Sequence, residues 1–380
     1  MAFLGNASTL GSVAKPRAFF GPWLDFLCMG GGSLIALPIL AAIIPDSGMN
    51  QVHTAVLLIA LIVNFPHFIH SYQVFYGSFG KIMRAPDADA VFRRRYVWSG
   101  VVVPAILLCL IALAIGAHEP TLLRYSVNAM AFFVGWHYVK QGYGMLMADA
   151  AMKRSFFSDA AKKCLLINAY ACWALSWLMI NHELSEQTFL DLNYYTFDVP
   201  DGAPVIAAIA LGLTSLWSLA ILIAHVRKHG MAFPISGLAA YVASLYVWLF
   251  VHYDPEIVAF IPAFHSLQYL YMVWRHRLNV EAAEPDAATL VSNTGGQVTF
   301  SRAQARFTTY IASAIVFGMV AFLMVPAALD IYVPYDHAMF GDRLFMVAIW
   351  VFINIHHFFI DNAMWRKENP HTMRQLFAHH

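Results

Sequence analysis

Residues 341–365 read GDRLFMVAIWVFINIHHFFIDNAMW, a nearly continuous apolar run with Asn354, His356, His357 and Asp361 set into its second half. A helix crossing a hydrocarbon core about 30 Å thick needs about 20 mostly apolar residues, because it rises about 1.5 Å per residue. Ionisable side chains inside such a run are costly, so they face a bundle interior and commonly mark a function. This stretch therefore raises two questions: how many crossings the chain makes, and what their buried polar groups do.

Applied outward along the chain, the same rule predicts about ten spans. They lie at approximately 22–45, 52–77, 96–117, 121–149, 164–181, 203–226, 234–252, 256–275, 307–329 and 341–365. Composition agrees. Of 380 residues, 60% are hydrophobic and 12% charged, about half the charge of an ordinary soluble chain. A soluble enzyme, a disordered chain and a secreted disulfide scaffold are excluded. The net charge of +1 offers no basic face to a nucleic acid. Cys28, Cys109, Cys164 and Cys172 are scattered without metal-type spacing and read as small buried hydrophobes. The expected fold is an all-α, polytopic integral membrane bundle forming a single transmembrane domain over residues 1–380.

The basic residues orient it. Lys15 and Arg17, Lys81 to Arg95, Lys153 to Lys163, Arg227 and Lys228, Arg275 to Arg306, and Arg366 to Arg374 all fall before the first span or after even-numbered ones. The opposite loops hold Arg124 and Arg343 among mostly acidic residues. Lys and Arg stay on the cytoplasmic side, so both termini are expected there. The apolar stretch after Arg17 is too long for the core of a cleavable signal. The loops at 182–202 and 276–306 are too short for a folded domain. Neither GxxxxGK[ST] nor GxGxxG occurs, so any electrons are expected from an external donor. No internal repeat is visible, which weighs against an inverted-repeat transporter.

Polar residues concentrate in spans 2, 4, 8 and 10, in four motifs: Asn64-Phe-Pro-His67-Phe-Ile-His70-Ser-Tyr72-Gln73, Trp136-His137-Tyr-Val-Lys140-Gln141-Gly-Tyr143, His265-Ser-Leu-Gln268-Tyr269 and Asn354-Ile-His356-His357-Phe-Phe-Ile-Asp361-Asn362. Residues three, four and seven apart share a helix face. Thus Asn64, His67 and Ser71 align, as do His137, Gln141 and Gly144; His265, Gln268, Tyr269 and Met272; and Asn354, His357 and Asp361. Pro66 cannot donate to the carbonyl of Ile62, so a kink is expected beside His67. Counted back from the first basic residue of each span, His70, His265, His356 and His357 lie about 15 Å deep. His67 and His137 lie somewhat deeper, and one shared layer is expected.

Imidazole is the commonest nitrogen ligand for iron, zinc and copper, and a carboxylate or amide normally holds its other nitrogen. The candidate metal ligands are His67, His70, His137, His265, His356 and His357, with His70 and His356 as reserves. Asp361, Gln268, Gln141 and Tyr269 are the groups expected to orient ligands or assist chemistry. A histidine-rich site with few carboxylates and no thiolate pair suits non-haem iron ahead of copper or zinc, and a haem held by paired histidines is a further option.

Blander readings compete at each position. A single intramembrane histidine can simply bridge helices. His356 and His357 point about 100° apart on a helix, so one of them faces any common centre. Asp361 can pair with Arg366, Lys140 can snorkel to the surface, and Gly30 to Gly32 read as a close helix contact. His53, His118, His182, His225, His229, His252, His276 and His337 fall at interfaces or in loops, and His371, His379 and His380 in the tail, so no role is assigned to them.

The fatty-acid desaturase and hydroxylase boxes HxxxH and HxxHH are absent, and His67-Phe-Ile-His70 is the near miss. With Pro66-His67, His137-Tyr138 and further intramembrane histidines, the layout resembles the bacterial Brp/Blh-type carotene dioxygenases, which place iron-binding histidines on separate helices. The resemblance covers a few residues, implies the oxygenase class and names no substrate. The leading expectation is a metal-dependent oxygenase, hydroxylase or desaturase acting on a hydrophobic lipid or isoprenoid from the bilayer, with an external electron donor. It is expected in a bacterial inner membrane. A haem or quinone-linked electron-transfer protein, a transporter or metal permease, and an accessory subunit are the alternatives.

Overall fold

The computed structural model describes residues 18–44, 49–85, 89–183, 187–190, 192–253, 255–283, 302–366 and 368–377. Lys15, Arg17, Lys367, His379 and His380, and most of the 276–306 loop, lie outside them. The chain folds into helices α1 (Pro22–Ile43), α2 (Gln51–Arg84), α3 (Ala90–Gly116), α4 (Pro120–Met152), α5 (Asp159–His182), α6 (Gly202–Ala232), α7 (Ile235–Phe250), α8 (Ile261–Ala283), α9 (Arg302–Tyr332) and α10 (Leu344–Met364), with a short α11 (Pro370–Leu376). A two-stranded antiparallel hairpin, β1 (Gln187–Phe189) and β2 (Leu192–Tyr194), fills part of the α5–α6 connection. Apart from that hairpin, the expected all-α bundle holds among the described residues.

Seven helices, α1, α2, α3, α5, α6, α9 and α10, are long and apolar enough to cross a membrane. The other three expected spans are helical but do not meet that measure. α7 is shorter than a crossing. α4 carries Arg124, Lys140 and Asp149 in its 33 residues, and α8 carries His265, Gln268, Arg275 and His276 in its 23. Two of the helices richest in centrally placed polar groups are thus those a hydropathy measure passes over.

α4 packs against α5, α7 and α10, while α2 packs against α8, α9 and α10. α2, α4, α8 and α10 therefore surround the middle of the bundle. α6 leans on α5 and leaves nearly all its apolar surface outside, as a lipid-facing helix does.

Where a kink is expected beside His67, the helix changes its winding. A π-helical turn at Ala60–Asn64 immediately precedes Phe65 and Pro66. The same device precedes Pro104 in α3 and Pro326 in α9. Proline supplies no N–H to the preceding turn, and widening that turn absorbs the missing bond.

Close backbone approaches hold the helices at short range. A Cβ on Gly30 of α1 would stand 2.6 Å from Cα of Ala240 in α7, and one on Gly142 of α4 would stand 2.6 Å from Cβ of Ser244. The Gly30 contact is the one expected from the Gly30–Gly32 run. Gly30→Ala is expected to force α1 and α7 apart and to destabilise the protein by about 1–3 kcal/mol. Thermal unfolding in mild detergent would read this, and an unchanged midpoint would contradict the close packing.

Polar ends are anchored separately. Asp25 accepts backbone N–H bonds from Phe19 (2.8 Å), Phe20 (3.0 Å) and Gly21 (3.1 Å) and a bond from the Tyr271 hydroxyl, tying the entry of α1 to α8. Glu119 caps α4 by accepting the Thr121 N–H at 3.0 Å, and hydrogen bonding to Thr121 holds its exposed carboxyl below the usual carboxylate range. Asn128 joins Asn181 and the carbonyl of Tyr195, fastening the hairpin connection onto α4.

Candidate metal centre

Four imidazoles, one from each central helix, meet in the interior. His67 of α2, His137 of α4, His265 of α8 and His357 of α10 are all buried. Their ring centres are 5.4 Å apart for His67 and His265, 4.9 Å for His265 and His137, 5.0 Å for His137 and His357, and 4.8 Å for His357 and His67. Each consecutive pair stands edge to face, so the rings form a closed circuit.

Asp361 completes the group from one turn below His357. Its Oδ2 lies 3.4 Å from His357 Nε2 and 3.7 Å from His137 Nε2. The candidate ligand atoms of His67, His265 and His357 lie within 4.8 Å of one another, as do those of His137, His357 and Asp361. His357 belongs to both groups and is the hub.

Seven ring and carboxylate atoms of the group have no hydrogen-bond partner among the described residues. They are His67 Nε2, His137 Nε2, both ring nitrogens of His265 and of His357, and Asp361 Oδ2. A buried polar group left unpaired costs about 1–3 kcal/mol, and folded proteins pair nearly all of them. Concentrating so many in one place is what a polar seam between helices would avoid. Around a single ion bound at about 2.1 Å, ring centres stand about 3.2 Å out, so neighbouring rings are about 4.5 Å apart in a square arrangement and about 5.2 Å in a tetrahedral one. Three of the four separations fall within that range and the fourth, 5.4 Å between His67 and His265, lies just above it; the donor set of neutral imidazoles and one carboxylate oxygen suits a transition-metal ion.

Two of the five residues are held from outside, His67 and Asp361. His67 Nδ1 lies 2.5 Å from the carbonyl oxygen of Asn64 and 2.8 Å from Ser266 Oγ, whose own proton goes to Asn64 Oδ1 at 2.8 Å. A carbonyl only accepts, so Nδ1 carries the proton and the Nε2 lone pair points into the centre. Tyr269 donates to Asp361 Oδ1 at 3.0 Å, and Ser71 donates to the Tyr269 hydroxyl at 2.7 Å. That chain fixes one carboxylate oxygen and leaves the other facing the histidines, the outer support that metal-binding carboxylates receive.

The glutamines act on backbone. Gln141 donates to the carbonyl of His265 at 3.0 Å and to Gln268 Oε1 at 2.9 Å, and Gln268 donates to the carbonyl of Met29. They brace α4, α8 and α1 around the site and touch no imidazole nitrogen.

His70 and His356 lie outside the circuit with both nitrogens engaged. His70 Nδ1 bonds Gln73 Oε1 at 2.8 Å, its Nε2 accepts from Trp274 at 3.3 Å, and its ring stacks on Tyr310. His356 Nε2 donates to the Ser99 carbonyl at 3.0 Å, and its Nδ1 accepts from Tyr72 at 2.9 Å. The structure therefore brings four of the six candidate ligand histidines together and uses these two as helix bridges. Asn354 bonds its own helix at the Trp350 carbonyl, and Arg366 bonds Asn362 rather than Asp361.

Ser266 and Ser71 carry support that sequence reading left unassigned. Ser71 shares the His67 face at helical spacing, so a signal for it existed; Ser266 had none, because its partners are about 200 residues away in α2. A cavity of about 590 Å³ reaches the centre at His137, Tyr269 and Asp361 and extends toward the α4 and α10 C-termini beside α11. No family model matches the chain, and no curated protein or solved structure matches it.

Proposed function

We propose that this protein is an integral membrane, metal-dependent oxygenase, hydroxylase or desaturase acting on a hydrophobic lipid or isoprenoid. The observation that carries the reading is the inward convergence of unpaired nitrogen and oxygen atoms from His67, His137, His265, His357 and Asp361. These five residues would hold the ion, and non-haem iron is the proposed metal. When bound, iron supplies activation of O₂ for C–H or C=C oxidation. The chain's own part is to fix the donors, keep water out and admit substrate. Phe68 and Phe358 pack on His357 and His137 at 4.8 and 4.6 Å between ring centres, giving the donors dry walls. Tyr269 holds the Asp361 carboxylate in place. Electrons would come from an external donor.

Ring-to-ring contact around the circuit suits a bare ion better than a porphyrin, which needs an open slot between axial histidines. The proposed topology keeps ten crossings, with α4, α7 and α8 shielded by the seven apolar helices, in a bacterial inner membrane with both termini cytoplasmic. What supports it is the bias of Lys and Arg toward one set of loops.

Metal analysis with an absorbance spectrum, on protein purified in mild detergent after iron-replete expression, tests the reading. Near-stoichiometric iron without a Soret band is the expected result, followed by O₂-dependent turnover of a membrane lipid extract. A Soret band would move the protein to the haem class. Failure to take up iron, copper or zinc after reconstitution would leave the histidines as a proton or substrate path and overturn the proposal.

A further inference from the structure

The cavity that reaches the candidate centre is not uniformly apolar. At its inner end stand His137 and Asp361, and farther along the same two helices stand Lys140 and Arg366. Lys140 follows His137 by three residues, about 4.5 Å along the axis of α4. Arg366 follows Asp361 by five, just beyond the end of α10. Both cations line this one cavity. Among the described residues, neither forms an ion pair with a carboxylate. Arg366 spends two donors on Asn362, and a guanidinium has more to offer. Of the other charges at the opening, Lys162 pairs with exposed Asp159 at 3.0 Å, and the exposed Glu368 carboxylate acts on Arg366.

Lys140 is part-buried and shares this cavity with a second cation, an arrangement that a bound anion relieves. Met145, Met272, Met373 and Phe377 line the same cavity and supply an adaptable apolar wall. A cationic end, an apolar wall and a candidate metal centre in one cavity describe the outline of an amphiphile.

We propose that the ligand of this cavity is an anionic amphiphile, with a carboxylate or phosphate head held by Lys140 and Arg366 and its hydrocarbon chain lying along the methionine wall. Its head then sits one to two helical turns from the candidate metal ligands, which places the carbons near the head, rather than the far end of the tail, against the centre. This deepens the proposed oxygenase reading and rests on it for the meaning of that placement. Binding itself needs no turnover.

The test uses full-length protein in nanodiscs of zwitterionic lipid. Decanoate, decyl phosphate and decanol are titrated while Trp136 and Trp365, which line the cavity, report by fluorescence, and protein-free nanodiscs give the partition background. Wild-type protein is expected to bind at least one of the two anions more than about tenfold tighter than decanol, since charge-assisted bonds in a desolvated site are the strong ones. Preference for decanoate alone or decyl phosphate alone identifies the head group. Lys140→Met and Arg366→Gln should each erase most of that preference, and Lys140→Arg should keep it. Metal content, measured on the same samples, should be equal in all of them. Equal binding of decanol, or anion preference that survives both charge removals, overturns the proposal. Anion preference in a protein that takes up no metal would uphold the ligand class and remove the oxygenase reading; metal uptake without anion preference would do the reverse.

Discussion

Alanine at His357 is expected to abolish metal retention, while alanine one residue earlier, at His356, leaves it in place. The two side chains leave the same helix about 100° apart, and the structure gives them opposite surroundings. His357 has both nitrogens unpaired, touches the rings of His67 and His137, and belongs to both groups of converging donors. His356 has both nitrogens bonded, to Ser99 and Tyr72. Loss of an outer partner of a metal ligand typically costs about 10–100-fold in affinity, so loss of the shared ligand should cost more than about 100-fold. His356→Ala instead strands a carbonyl and a hydroxyl, and should lower stability by about 1–3 kcal/mol with little change in metal. Metal per polypeptide after dialysis and the thermal midpoint, measured together, separate the effects. Equal metal loss in both variants, or full retention in His357→Ala, would sink the assignment of the hub.

The pairing of those neighbours also marks what the sequence could express. That only one of His356 and His357 faces a common centre follows from helical geometry, as does the placement of Asp361 one turn from His357. The enrichment of spans 2, 4, 8 and 10 in polar residues picked out the helices that meet in the middle. The rest depended on distance in three dimensions. Nothing local separates His67 from His70, since both lie in the same apolar run and the difference is what faces them: the centre for His67, Gln73 and Trp274 for His70. The deeper position inferred for His137 came from counting back from Lys153. α4 is one continuous helix to Met152, so that count includes helix that extends past the level of the cluster. Gln141 and Gln268 look like second partners for imidazoles at helical spacing, yet they bind carbonyls, one of them at Met29 beside Gly30, where the backbone of α1 departs from helical geometry. The link from Tyr269 to Asp361 joins residues 92 apart in sequence and became visible only with the fold.

Removing metal should lower the stability of the whole bundle, and this separates a metal centre from a polar seam more directly than any single substitution. In a seam, neutral histidines satisfy one another and a chelator changes nothing. Here the donors come from α2, α4, α8 and α10, and each of these residues has a ring nitrogen or carboxylate oxygen without a hydrogen-bond partner among the described residues, so an ion would be their shared partner and would tie four helices together. A ligand that binds only the folded state at about a thousandfold over its dissociation constant stabilises by about 4 kcal/mol. With an unfolding entropy of about 2 cal/mol/K per residue, a chain of 380 residues shifts by about 1.3 °C per kcal/mol, so a membrane-compatible chelator is expected to lower the thermal midpoint by about 5 °C, reversibly on readdition of metal. His357→Ala should start at the lowered midpoint and respond to neither treatment. Tyr269→Phe, which frees Asp361 Oδ1 but removes no inward donor, should fall between them and recover at higher metal concentration. A wild-type midpoint that ignores both chelator and metal, in protein confirmed to exchange metal, would mean that the circuit of imidazoles is stable by itself. The unpaired nitrogens would then be satisfied by water, and the four helices would be held by their glycine contacts and glutamine braces alone.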